Sequence, residues 1–280
     1  MKAGRRRPEN LTAYEIALRA WSHALEGQDK AEPEIFSQSI REAREALAID
    51  PNSVRALHAL AQAHGNAFFL GMAADREQAL REATLAAARA IELDSADALG
   101  YALRALSVMH GGQWDRYPEA LLDARRAHEI NPNDTLVLRV LGLFEAFSGE
   151  AERGIELLHL VLRLNPRDSR SYMTYNILAN ACFIAKRYGD GIDWASRAIM
   201  NRPQMVGAHT QVVLGLVGIG EIGNAKSVFE TLQKLASSDY LRSRLEGTWG
   251  LGRSEDRGRA TTFLRIAADL EHPNAADAVR

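Results

Sequence analysis

The stretch REALAIDPNSVRALHALAQA, Arg44 to Ala63, decides the fold. An apolar-periodic segment runs into Asp50 and Pro51, and a second begins within three residues. Proline lacks an N–H and biases the residue before it away from the helical region, so Pro51 ends one helix at Asp50. Asn52 or Ser53 then offers a side-chain oxygen to cap the next helix, and Asp134 and Ser169 offer the same after Pro132 and Pro166. Copies of the stop follow in ARAIELDSADALG and RRAHEINPNDTLVL, and the stops fall at 51, 95, 132, 166 and 203. Their separations are 44, 37, 34 and 37 residues.

A period near 34 with small insertions is that of a helix-turn-helix repeat. With each stop taken as the thirty-second position of a unit, position 27 holds Ala46, Ala90, Ala127, Val161 and Ala198. Position 20 holds Ser39, Ala83, Ala120, Gly154 and Gly191. Small side chains there let two antiparallel helices approach closely. Leu138, Leu141 and Gly142 fit the start of the fourth unit, and Ala225 and Phe229 extend the register into a sixth. Extra residues are expected as a longer helix-to-helix connection at GNAFFLGMAADRE, and as irregular loops near GGQWDRY and RDSRSYM.

Spacing, small residues and terminal prolines together resemble the tetratricopeptide repeat family over residues 11–237. The resemblance implies an all-α solenoid of about six repeats with capping helices at both ends. TAYEIALRAWSHAL, with Tyr14, Ala17, Trp21, Ala24 and Leu25 on one stripe, is the expected cap at the start. At the other end DYLRSRL and TTFLRIAADL read as short helices separated by GTWGLGRSEDRGR, within a capping region over 238–270. Residues 1–10 read as a flexible basic N-terminus and 271–280 as a tail.

The flanks narrow the resemblance. RPENLTAYEIALRA and SSDYLRSRLEGTWGLGRSEDRGRATTFLRIAADL are similar to the ends of C-terminal repeat regions attached to bacterial class III adenylate/guanylate cyclases. Winged-helix transcription regulators carry similar regions. No strand-rich segment with metal-binding aspartates is present, so the resemblance implies a regulatory or scaffolding module rather than a catalyst. A start near where an upstream domain would end is what a split gene product or an excised domain would show.

Composition narrows the partners. A formal net charge of −2 gives no electrostatic excess to recruit nucleic acid or an anionic membrane. The longest apolar run, Val212–Gly220, is far short of the ~20 residues that span a bilayer. MKAGRRRPEN has no apolar run after its arginines, so no secretory signal is read and a cytoplasmic setting is expected. The single Cys182 leaves no disulfide framework and falls at a core position, where a buried, inert thiol is expected.

GIGEIG, Gly218 to Gly223, matches a dinucleotide-binding pattern. It follows no strand, and Ala225 and Phe229 continue the repeat register, so a helix-to-helix turn at Gly220 is the better reading. His58 and His64 are six residues apart and lie on different helix faces, and no H-E-x-x-H pair occurs. No cofactor, metal or catalytic residue is expected.

By resemblance, the second, fifth and ninth positions of each unit point into a concave groove. These are Arg55, His58 and Gln62 in the second unit, Arg139 in the fourth, and Asn176 and Asn180 in the fifth if its insertion precedes the helix. Asn176 and Asn180 share a face and their amides suit an extended peptide backbone. Arg139 stands alone in the apolar run TLVLRVLGLF, where an unpaired buried charge is costly. The alternative is internal: a neighbouring carboxylate or carbonyl for Arg139, and bonds across repeats for the asparagines. Ala102 and Leu106 occupy places where a clamp for a chaperone tail needs polar residues. The expected partner is a protein or peptide, with pairing between copies of the chain as an alternative.

Overall fold

The computed structural model describes residues 11–279, and the ten residues read as a flexible start lie outside them. Fourteen α-helices and two 3-10 turns are present among the described residues, with no strand. Twelve of the helices form six antiparallel pairs. The leading helices are α1 (Leu11–Lys30), α3 (Val54–Phe69), α5 (Ala98–His110), α7 (Thr135–Phe147), α9 (Ser171–Ile184) and α11 (Val206–Gly218). Their trailing partners are α2 (Pro33–Ile49), α4 (Arg76–Leu93), α6 (Tyr117–Ile130), α8 (Ala151–Leu164), α10 (Tyr188–Asn201) and α12 (Ile222–Leu235). Two more helices, α13 (Ser238–Leu245) and α14 (Ser254–Ala267), follow the last pair. The architecture is an all-α solenoid of helical repeats. The entry helix α1 is itself the leading member of the first pair, packed on both α2 and α3.

The chain divides into two compact units, Met1–Pro132 and Asn133–Arg280. In each, leading and trailing helices differ in kind. The trailing helix α8 buries Ala151, Gly154, Ile155, Leu158 and Val161, one face at helical spacing. The leading helix α7 buries every residue from Val137 to Phe147.

The stops work as the sequence requires. Asp50 ends α2 by donating its N–H to the Ala46 carbonyl at 2.9 Å, and Ser53 accepts from Ala56 N–H to open α3. Asp75, Asp97 and Asp134 cap α4, α5 and α7. Ser169 caps nothing: α9 opens at Ser171 behind Arg170, and the acceptor in that loop is Asp168, which takes the Arg170 N–H at 3.0 Å. The connection there, residues 165–170, is longer than the four-residue connections at 50–53 and 202–205. The extra residues of the fifth unit therefore precede its helix.

The second insertion is handled differently. Most of it extends α3 and α4 to 16 and 18 residues, leaving only Leu70 to Asp75 as the turn. Helix propagation satisfies backbone groups that a long loop would leave to solvent. In the third unit the insertion folds as a 3-10 turn, Trp114–Arg116. At the C-terminus, GTWGLGRSEDRGR is not all linker, since α14 begins at Ser254 with Glu255 and Asp256 in its first turn.

Small residues at the close contacts behave as the register demands. A Cβ on Gly154 would stand 2.6 Å from the Gly142 carbonyl oxygen and 2.7 Å from Ala146 Cβ. Ser39 keeps its hydroxyl in such a contact because it donates to the Ala20 carbonyl at 2.7 Å. The turns inside the pairs share one device, a residue with positive φ. Gly220 supplies it between α11 and α12 at φ +87, and Lys186 does so between α9 and α10 at φ +61. GIGEIG is thus a turn between two helices. No helix among the described residues is long and apolar enough to cross a membrane.

Candidate functional site

The sequence nominates six side chains on leading helices, and the structure places them in two clusters, one in each unit. In the first unit Arg55, His58 and Gln62 lie on α3. His58 Nε2 meets Asp97 Oδ2 at 2.6 Å, with both side chains at least nine-tenths buried. Asp97 also accepts the Gly100 N–H at 3.0 Å, so one carboxylate caps α5 and holds the preceding leading helix. Arg55 stands over the Trp21 ring at 5.8 Å, and the same ring meets His58 edge-on. Gln62 donates to Asn66 Oδ1 at 2.9 Å, and Asn66 donates to the Ala24 carbonyl. His58 Nδ1 and Gln62 Oε1 have no hydrogen-bond partner among the described residues.

In the second unit Arg139 lies on α7, and Asn176 and Asn180 on α9. Arg139 is 8% exposed. Asp168 is its nearest carboxylate at 3.8 Å from Nη1, too long for a hydrogen bond. Burial pushes the Arg139 guanidinium below its ordinary value, Asp168 pulls it back up, and Arg170 adds to the downward push. Asn180 donates to the Asn176 backbone carbonyl at 2.7 Å and accepts from Gln211 Nε2 at 2.8 Å. Asn176 Oδ1 and Gln211 Oε1 have no hydrogen-bond partner among the described residues. Gly207 on α11 faces the Asn176 amide, where a Cβ would come within 3.3 Å of Oδ1.

Three leading helices share a device. Their fifth residue reaches forward to the start of the next helix in line: His58 to Asp97, Arg139 towards Asp168, Thr210 to Tyr240 at 3.0 Å. These side chains link successive repeats. Asp97, Asp168, Arg170, Gln211 and Tyr240 are the participants that the sequence reading missed. The polar run His209, Thr210, Gln211 inside an otherwise apolar helix was the one signal that could have found Gln211.

Nothing in these clusters forms a nucleophile–base pair. His58 has its carboxylate, but no hydroxyl or thiol bonds its other ring nitrogen. Cys182 is buried and burial pushes its thiol up to about 12, far from the thiolate that catalysis needs. Among the described residues no group of histidine, cysteine and carboxylates could hold a metal ion. A cavity of about 270 Å³ lies at the turns of the second unit, lined by Gly149, Glu150, Glu152, Arg153, Ile184 and Arg253. Its acidic and basic side chains balance, so it presents no preferred charge to a ligand.

No family model matches the chain, and no curated protein matches it. Solved structures do. A thermophilic tetratricopeptide repeat protein of Thermus thermophilus superposes with a TM-score of 0.54 at 15% identity, over 72% of this chain and 99% of that one. Pseudomonas aeruginosa PilF gives 0.52 at 19% identity, over 84% and 99%. The human IFIT1 dimer with m7Gppp-AAAA gives 0.61 at 14% identity, over 95% and 70%. These likenesses establish the tetratricopeptide-type fold and nothing finer.

Proposed function

We propose that this chain is a non-catalytic scaffold that binds a polypeptide along the leading helices of its repeats. The observation that carries the reading is the Asn176 amide. Its oxygen is unpartnered, the residue facing it across the helix interface is a glycine, and its neighbour Asn180 is fixed by Gln211. That oxygen has no surface open to solvent, so what the partly exposed Asn176 offers is its amide N–H, which suits a backbone carbonyl of an extended peptide because ordering it costs little on binding. Arg55, His58 and Gln62 supply a second polar stretch in the first unit.

Regulation of a nucleotide cyclase, or of a winged-helix transcription factor, is the narrower form of this reading, and the resemblance of the two flanks is what supports it. A cytoplasmic setting belongs to the same form. Pairing between copies through the end helices is the alternative.

The test is a synthetic array of 12-residue peptides of varied composition, probed with the full chain and with the Asn176→Ala/Asn180→Ala variant. Retained helical circular dichroism with loss of the bound peptides is expected. Peptides bound equally by both would remove the asparagines from the site, and an array that retains no wild-type chain would remove the reading.

A further inference from the structure

The longer connection between α8 and α9 carries a charge arrangement that internal packing leaves incomplete. Asp168 is one carboxylate set between two guanidinium groups, Arg139 at 3.8 Å and Arg170 at 3.7 Å, and neither side chain is within hydrogen-bond distance. What Asp168 does accept is the backbone N–H of Arg170. Arg202, on the connection after α10, donates to the hydroxyl of Tyr172, which also neighbours Arg139. Asp134, the other nearby carboxylate, is committed to the N–H groups of Leu136 and Val137 at the start of α7. Three arginines thus converge on a seam with two aspartates, one of which is occupied by a helix end.

Their burial divides the labour. Arg139 is sealed inside, with Nη1 unpartnered, whereas the Arg170 side chain keeps a quarter of its surface open. The inserted residues of the fifth unit supply both Asp168 and Arg170, and insertions in repeat proteins tend to gather on one, often ligand-binding, face.

We propose that this seam accepts an acidic side chain of the bound polypeptide. The ligand carboxylate pairs with Arg170, which releases Asp168 to close on Arg139. Arg170 is the contacting residue, while Arg139 and Asp168 are positioning residues. The cost of the half-paired buried guanidinium in the free chain is relieved on binding, so selectivity for acidic ligands exceeds what one partly exposed arginine would give. The inference rests on the scaffold reading above, and names the ligand chemistry.

The experiment uses fluorescence polarisation with the full chain and labelled 12-residue peptides in matched acidic and amide versions, Asp and Glu against Asn and Gln. The acidic version should bind about tenfold more tightly in low salt, and Arg170→Gln should abolish that preference. Asp168→Asn keeps the acceptor oxygen for the Arg170 N–H but removes the charge whose release onto Arg139 adds to the selectivity, so it should cut the acidic preference to the few-fold that Arg170 alone gives. A purely structural role predicts equal weakening of the acidic and amide versions by that variant. Equal affinity for both versions, with binding still lost in Asn176→Ala/Asn180→Ala, would overturn the seam proposal and leave the scaffold reading standing. No binding of either version to wild type would overturn both. Displacement of bound peptide by single-stranded oligoadenylate at lower concentration than by acidic peptide would assign the seam to phosphate and also overturn the proposal.

Discussion

Arg259 of α14 donates to Asp256 at 2.6 Å and, through the same nitrogen, to the carbonyls of Phe183 and Ile184, which close α9. Its guanidinium also stands over the Phe183 ring at 4.9 Å. A cation on the last carbonyls of a helix satisfies orphan acceptors and complements the dipole. Arg259→Gln should cost about 3–5 kcal/mol, because it strands the buried Asp256 charge. Urea unfolding of wild type and variant measures it. Equal midpoints would show that the pair holds nothing.

Close glycine packing and open glycines should respond with opposite signs. Gly154→Ala should destabilise by about 1–3 kcal/mol, since the Gly142 carbonyl has nowhere to go. Gly258 in α14 has nothing within 4 Å of an added Cβ, so Gly258→Ala should stabilise by up to about 1 kcal/mol through helix propensity. Ala127 is fully buried at position 27, the other small position of the register, and Ala127→Leu should also overpack. Melting curves of the three variants check the signs, and a raised melting temperature for Ala127→Leu would break the register.

His58 should behave as a stability residue. His58→Leu leaves the Asp97 carboxylate without its buried partner and should cost at least about 1–3 kcal/mol. Asp97→Asn, which keeps an acceptor for the Gly100 N–H, should cost less. Chemical denaturation of both variants orders them, and the opposite order would mean the carboxylate charge matters more than the ring.

Acid should weaken the first unit through His110. Its ring stacks on Phe69 at 5.1 Å, and burial pushes it down to about 4 from an ordinary 6.5. Between those values the unfolded chain takes a proton that the folded chain refuses, so stability falls as the pH drops through that window. The loss is at most about 3 kcal/mol, and smaller to the extent that the ring keeps partial exposure. His110→Phe should flatten the acid limb of a stability profile recorded between pH 4 and 6.5. A limb of unchanged slope would place its origin elsewhere.

Cys182 should resist thiol reagents at pH 8 in the folded chain and react in denaturant, because burial holds it as the thiol. Labelling followed by mass spectrometry distinguishes the two states, and rapid native labelling would show that α9 opens.

The repeat frame was legible because it rests on local chemistry. Pro51, Pro132, Pro166 and Pro203 cannot continue a helix wherever the chain goes, and Gly154 or Ser39 is small whatever faces it. Insertions were less legible: GNAFFLGMAADRE carries apolar residues that extend α3 as readily as they fill a loop, and packing settled the matter. The identity of side-chain partners was mostly not legible. His58 finds Asp97 at a separation of 39 residues, and no spacing rule within one helix encodes such a pair. The asparagine ladder was half read, since Asn180 to Asn176 is an i,i−4 contact while Gln211 comes from the next repeat.

The reach of Arg259 also orders events in time. The carbonyls it caps lie 75 and 76 residues earlier in the chain, whereas repeat helices otherwise bond to near neighbours. During synthesis each helix pair meets its neighbour soon after leaving the ribosome, but α9 must wait for a further 75 residues before Arg259 supplies its terminal cation. The fifth pair is therefore the part of the second unit that a nascent chain holds open longest, and the arrival of α14 completes it.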